Sequence, residues 1–393
     1  MTNRNIAIGC AAAFAATLVL IFGGGYLIYR FYTPAFERPQ IPEQLKRARI
    51  IVNTASLVKS TFIESKELGE IKSMAYGELD PSPGPELVIV GQTGALFTDE
   101  NGNVKSHLWF VEHMDRHWGI KIHGSKSRFG DIQIVDVNGD HICEFLVRNS
   151  FGEAELIGHN GQTIWTYTGT RRDEFLEDMT AGDIDRDGEA EYIVAYLNGK
   201  GLVLLDKSLN EIWNKPDVHS HHVEVAEIDG DGHPTIIHDD SARIVLRDYN
   251  GNIVEESDTG HYIGSCFSVA RGPTKKDKPH LLYSSDGVIR LVDSHGKSVV
   301  DYLAPLSESF CKTHGVTVKF NAHEREYFAV VVEESLFQRS ILYIYNAAGN
   351  LVYQEVLAES CASIAAAPLD KTETEVLLLG AEEKVLEYRM KLT

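Results

Sequence analysis

From Ile50 onward the apolar residues come in short, often β-branched runs separated by clusters of Gly, Asn, Asp and Pro. That rhythm predicts strands joined by tight turns, because the three-and-four spacing of an amphipathic helix does not appear in these segments. One unit recurs: a short apolar strand, an acidic Gly-containing loop, a strongly apolar strand, a hairpin turn and a last strand. Its clearest copy runs from Met179 through Asp183-Ile-Asp185-Arg-Asp187-Gly188-Glu-Ala-Glu191 into Tyr192-Ile-Val-Ala-Tyr196. The residues that open the second strand of each copy are Glu86, Glu144, Glu191, Thr235, His280, Glu326 and Glu375, spaced by 58, 47, 44, 45, 46 and 49 positions. A second landmark keeps the same register, the turns Asp99–Gly102, Gly158–Gly161, Asp248–Gly251, Asp293–Gly296 and Asn346–Gly349. Such Asn-Gly-like tetrapeptides supply the positive φ that hairpins need.

Four short strands per repeat of this length predict an all-β fold, a seven-bladed β-propeller over residues 50–393. The blades fall near 70–110, 130–168, 177–215, 221–258, 265–304, 311–357 and 361–393. The last copy lacks its outer strand, and the β-rich stretch 50–63 is the expected donor that closes the ring. Ahead of the propeller lie a tail (1–5), an expected transmembrane helix (6–29) and a stalk (30–49) carrying Pro34, Pro39 and Pro42. The 25 residues from Asn5 to Tyr29 carry no charge; as a helix they reach about 37 Å, enough for a bilayer core of about 30 Å.

Charge narrows the partners. The formal charge is −20, and residues 1–50 hold six Lys or Arg against two Glu, so the body is more acidic still. A surface of that sign repels nucleic-acid phosphates, so no nucleic-acid partner is expected. Arg30, Arg38, Lys46, Arg47 and Arg49 follow the apolar span, which by itself favours an inward-facing body. Calcium loops of low affinity fill where the ion is abundant, which favours an extracytoplasmic body, and that is the orientation expected.

The loops carry the clearest chemistry. Asp183, Asp185, Asp187 and Glu191 place oxygens at positions one, three, five and nine with Gly188 at the bend, a spacing suited to Ca²⁺. Asp136, Asn138, Asp140 and Glu144 repeat it with His141 in place of Gly, and Glu227, Asp229 and Asp231 repeat it with Thr235 at the ninth position. Glu78, Asp80, Ser82 and Glu86 form a worn copy. Asx turns without an ion are the alternative for all of these loops. The stretch from Gly182 to Val194, with its partial copies around Asp136 and Glu227, resembles the FG-GAP repeats of integrin α-subunit propellers and their bacterial relatives, the VCBS repeats. That resemblance implies a Ca²⁺-stabilised propeller used for binding or adhesion, with the ions on the face opposite the ligand surface. The segments ending at Trp165 and Trp213 are similar to the tryptophan-docking repeats of quinoprotein-like propellers, and both tryptophans are expected to pack between blades.

At the start of the innermost strands the repeats align Lys72, Gly130, Glu177, His221, Cys266, Cys311 and Cys361. One reading is a channel ring of soft ligands, His221, Cys266, Cys311 and Cys361, holding Zn²⁺ or Cu⁺; plain packing of small buried side chains is the other. His113 and His117 lie four apart in the long connection 107–130, but no Glu directly follows His113 as the zincin pattern requires. The composite expectation is a membrane-anchored, calcium-binding interaction module that takes a protein or glycan partner opposite the calcium loops, through surfaces including 107–130 and 215–222. An enzyme on the same scaffold, a polysaccharide lyase or a metal-dependent hydrolase, is the alternative, as is soft-metal binding by the Cys/His ring.

Overall fold

The computed structural model describes residues 45–81, 84–109, 129–149, 153–167, 176–196, 199–228, 231–240, 242–260, 267–272, 278–285, 287–303, 311–321, 326–334, 338–369 and 374–391. The expected membrane span, the stalk up to residue 44, His113, His117, Asp229 and Cys266 lie outside them. Among the described residues no helix is long and apolar enough to cross a membrane.

Among the described residues, twenty-nine strands form seven antiparallel sheets, all within the unit Arg47–Thr393. Blade 1 is β3 (Ile71–Gly77), β4 (Glu86–Gly91), β5 (Gly94–Thr98) and β6 (Val104–Trp109). Blade 2 is β7 (Phe129–Val135), β8 (Glu144–Asn149), β9 (Ala154–Ile157) and β10 (Thr163–Tyr167). Blade 3 is β11 (Leu176–Gly182), β12 (Glu191–Tyr196), β13 (Leu202–Leu205) and β14 (Glu211–Lys215). Blade 4 is β15 (Val223–Ala226), β16 (Thr235–Asp240), β17 (Arg243–Arg247) and β18 (Ile253–Asp258). Blade 5 is β19 (Phe267–Arg271), β20 (Pro279–Ser285), β21 (Val288–Val292) and β22 (Ser298–Leu303). Blade 6 is β23 (Cys311–Val318), β24 (Tyr327–Glu334), β25 (Arg339–Tyr345) and β26 (Leu351–Val356), and blade 7 is β27 (Ser363–Ala367), β28 (Val376–Gly380) and β29 (Lys384–Met390). Each first strand touches the first strand of the next blade, and β27 returns to β3, which makes the ring.

The N-terminal strands clasp two blades. β2 (Leu57–Glu64) pairs with β29 and completes blade 7, whereas β1 (Arg49–Asn53) pairs with β26 and becomes a fifth strand of blade 6. The stretch 50–63 is therefore two strands in different sheets. Between them Asn53 accepts the Leu57 N–H at 2.8 Å and donates to its carbonyl at 3.0 Å, and Ser56 takes a positive φ of 58°. Glu355 on β26 ties the clasp together by accepting from Lys59 of β2 at 2.7 Å and from Tyr388 of β29 at 2.8 Å.

The core sits between the sheets. Second strands such as β4 and β12 are buried along their whole length because both faces pack against neighbouring blades, which is why they read as unbroken apolar runs. One cluster joins Leu146 and Leu156 of blade 2 to Tyr192 and Val203 of blade 3; another joins Val331 and Leu342 of blade 6 to Leu379 and Tyr388 of blade 7. Burying a side chain of this size stabilises by about 1.5–3 kcal/mol. The two aligned tryptophans do bridge blades: Trp165 meets Tyr192 edge-on at 5.0 Å, and Trp213 donates its indole N–H to the Tyr249 carbonyl at 2.7 Å.

Because every sheet starts at its inner strand and alternates direction, the acidic loops and the Asn-Gly hairpins share one face of the ring. The starts of the inner strands open on the other face. The seam under the loops is stitched by backbone bonds from one blade to the next, Cys143 N–H to the Leu79 carbonyl at 3.0 Å and Ala190 N–H to the Val137 carbonyl at 2.9 Å.

Candidate functional site

Two sites emerge, one on each face. In the blade 3 loop, Gly188 takes φ 93° and Arg186 φ 69°, so the chain doubles back and brings Asp183, Asp185 and Asp187 together. One carboxylate oxygen from each lies within 4.8 Å of those from the other two. Asp183 accepts the Gly188 N–H at 3.1 Å through Oδ2, while its Oδ1 is shut off from solvent with no hydrogen-bond partner. Asp185 and Asp187 accept the N–H groups of Asp187 and Glu189 at 3.1 and 2.9 Å. Glu191 turns inward: its Oε2 accepts the Ile184 N–H at 2.9 Å, and burial, with Asp185 and Asp187 nearby, pushes its carboxyl up. Glu191 thus braces the loop from beneath while the three aspartates crowd above it.

The blade 2 loop is built differently on nearly the same letters. Glu144 again sits beneath, accepting the Val137 N–H at 3.1 Å. Above it the Asn138 side-chain amide donates to Asp140 at 3.1 Å, and Asp136 accepts the N–H groups of Gly139 and His141 at 2.8 and 2.9 Å. The amide occupies the place where blade 3 has a third carboxylate. In blade 1, Glu86 has a cation instead, Lys105 at 3.1 Å. In blade 4, Asp231 caps the His233 N–H at 2.8 Å, and Glu227 is half-buried nearby in sequence.

On the opposite face the inner strands surround a cavity of about 580 Å³ at the mouth of the channel. Its best-ordered chemistry is His222, whose Nδ1 lies 2.7 Å from Asp178 and whose Nε2 lies 3.2 Å from Glu224. Phe267 of blade 5 meets the imidazole edge-on at 4.5 Å. Burial alone pulls a histidine down, but the two carboxylates outweigh it and push His222 up to about 10. It is a fixed imidazolium with both nitrogens committed. Beside it His221 Nδ1 lies 3.8 Å from Glu177. Asp239 sets both histidines: its Oδ1 accepts the N–H groups of His221 and His222 at 2.9 and 2.7 Å and the Ser220 hydroxyl at 3.1 Å. One residue earlier, His238 is buried and neutral, donating from Nδ1 to the Asp239 carbonyl at 3.0 Å and accepting from Arg247 at 3.0 Å; burial pulls it down to about 4.

Of the aligned cysteines, Cys266 lies outside the described residues. Cys361 packs in the apolar core between blades 6 and 7, and the residue of blade 7 that lines the cavity is Ala362. Burial pushes the Cys361 thiol well up, which leaves it protonated and a poor soft ligand. Cys311 opens β23, and His221 lines the cavity. The pair Asp178–His222 was not singled out from the sequence, although Glu177 and His221, their neighbours, were aligned at the same level.

This fold and this channel define the chain as a seven-bladed β-propeller. Among solved structures it is similar to BBS1N in its complex with ARL6DN, at 12% identity over 87% of this chain and 99% of that chain, with a TM-score of 0.55 in the mercury-soaked crystal and 0.54 in the lead-soaked one. It is also similar to the Neurospora crassa Pan2 WD40 domain, at 11% identity over 88% of this chain and 98% of that chain, with a TM-score of 0.47. No family model and no curated protein sequence matches the chain.

Proposed function

We propose that the chain is an interaction propeller that holds a protein partner over the channel mouth and carries Ca²⁺ in the blade 3 loop of the opposite face. The observation behind the partner reading is the gathering of charged side chains around the cavity, among them Lys72, Glu177, His221, Glu224 and Lys312. A propeller of similar fold, BBS1N, is seen in complex with ARL6DN, which gives the architecture a precedent as a protein-binding platform. The observation behind the Ca²⁺ reading is the orphaned Asp183 Oδ1 beside two further carboxylates. At such spacing each pair of like charges repels by about 1 kcal/mol in water and more where shielded. A divalent ion would take ligands from Asp183, Asp185 and Asp187, the donor set that hard cations prefer. The FG-GAP-like spacing and an anchor through residues 6–29 belong to the same reading, with the propeller displayed outside the cytoplasm.

Chemical crosslinking of the full-length chain in its native cells tests the partner face. Crosslinks from Lys72 and Lys312 to one protein, lost when Glu177 and Glu224 are both changed to Lys, support the reading. Crosslinks confined to the outer strands β10, β14 and β18 would contradict it.

A further inference from the structure

The cavity at the channel mouth is divided by charge. Blades 3 and 4 supply three of its four carboxylates, Glu177, Asp178 and Glu224, while blades 1 and 6 supply both of its lysines, Lys72 and Lys312; its arginine, Arg148 of blade 2, lies 3.9 Å from Asp178 and is taken up there. The fourth carboxylate, Glu333, stands across the β23–β24 pair from Lys312. The order of the ring sets blades 6, 7 and 1 across the channel from blades 3 and 4, so the two walls face each other. Each wall keeps bonding capacity for a guest. Lys72 is held by Glu70 at 2.6 Å, but an ammonium has three donors. Glu177 and Glu224 leave 35% and 31% of their side-chain surface open, and a carboxylate offers about four lone-pair sites. His222 and Asp178 are more committed, at 22% and 10%, and form the floor of the acidic wall. The volume lies within the range of small-ligand sites, about 300–1,000 Å³, and the lining is polar on both sides.

We propose that this cavity receives a small zwitterion of dipeptide size, its ammonium towards Glu177 and Glu224 and its carboxylate towards Lys72 and Lys312. A guest with one charge satisfies one wall and leaves the other to water. A guest with both ends unblocked satisfies the two together, and each charge-assisted hydrogen bond contributes more than a neutral one. The site uses the face assigned above to a partner but does not require one.

Isothermal titration of the full-length chain with glycylglycine, N-acetylglycylglycine and glycylglycine amide tests it. Glycylglycine is expected to bind, and each singly blocked form to bind at least about 10-fold more weakly. Lys312→Gln should erase the preference over the amide, and Glu177→Gln or Glu224→Gln the preference over the acetylated form. Equal affinities for the three compounds in the unaltered protein, or no heat from glycylglycine up to about 10 mM, would overturn the proposal. Crosslinking to the partner in the same preparations separates this failure from a failure of the partner reading.

Discussion

Asp178, near the start of β11, and Asp183, just past its end, meet opposite fates. At the channel mouth, Asp178 and Glu224 share the His222 imidazolium, at 2.7 and 3.2 Å. At the other end Asp183 faces Asp185 and Asp187, and the donors it meets are backbone amides. The blade 2 loop lies between these cases, since the Asn138 amide bridges to Asp140. The same problem, carboxylates packed by a tight backbone, is solved once by a built-in cation and once by an amide. In blade 3 the proposed answer is an ion from outside.

Removing the built-in cation should have the largest effect. His222→Ala takes the imidazolium from Asp178 and Glu224 together, leaving Asp178 only Arg148 at 3.9 Å and two backbone N–H groups, and is expected to cost about 3 kcal/mol of unfolding free energy, read by urea denaturation. The same pair predicts an alkaline limb. His222 is raised from 6.5 in the unfolded chain to about 10, so its contribution is full below about pH 6.5 and is lost as pH climbs through 10. His238 works in the other direction: lowered to about 4, it makes stability fall as pH drops from 6.5 towards 4. Melting temperature followed across that range should show both limbs, and His222→Gln should flatten only the alkaline one.

Next come the braces. Glu144→Ala and Glu191→Ala each strand a loop N–H group and should each cost about 1–3 kcal/mol, and a large inequality between them in chelator would show that the two loops are not seated alike. Asn138→Asp turns blade 2 into a copy of blade 3; it should lose about 1 kcal/mol in chelator and recover it with Ca²⁺. The smallest effect belongs to Asp185→Asn, which makes blade 3 resemble blade 2 and should gain a few tenths of a kcal/mol in chelator while abolishing the response to Ca²⁺.

Blade number, strand alternation and hairpins were legible because they depend on local signals. Unbroken runs such as Tyr192–Tyr196 mark strands buried on both faces, and Gly102, Gly161, Gly251, Gly296 and Gly349 all take the positive φ their turns require. The assignment of β1 to blade 6 was not legible, because the turn at Thr54–Ser56 has neither Gly nor Pro and is held by the Asn53 side chain. The place of Cys361 was not legible either: it lies ahead of β27 and packs in the core between blades 6 and 7. The inner strands of blades 1, 2 and 3 carry register shifts near their starts, at Ile71/Ser73, Phe129/Asp131 and Leu176/Asp178, and one residue of slip turns a side chain to the other face. The Asp178–His222 pair joins neighbouring blades, and its partners are chosen by that slip and by Asp239, a residue in another strand. The contrast between Asn138 and Asp185 was present in the letters, but its meaning needed the donor direction.

Calorimetric titration of Ca²⁺ into the chelator-treated full-length chain, beside Asp185→Asn, puts the contrast between the loops to its most direct test. Binding in the blade 3 loop that disappears in Asp185→Asn, with Asn138→Asp adding a further ion, is the result expected. Calcium uptake unchanged by Asp185→Asn, or no uptake by the unaltered chain, would mean that the crowded aspartates need no ion.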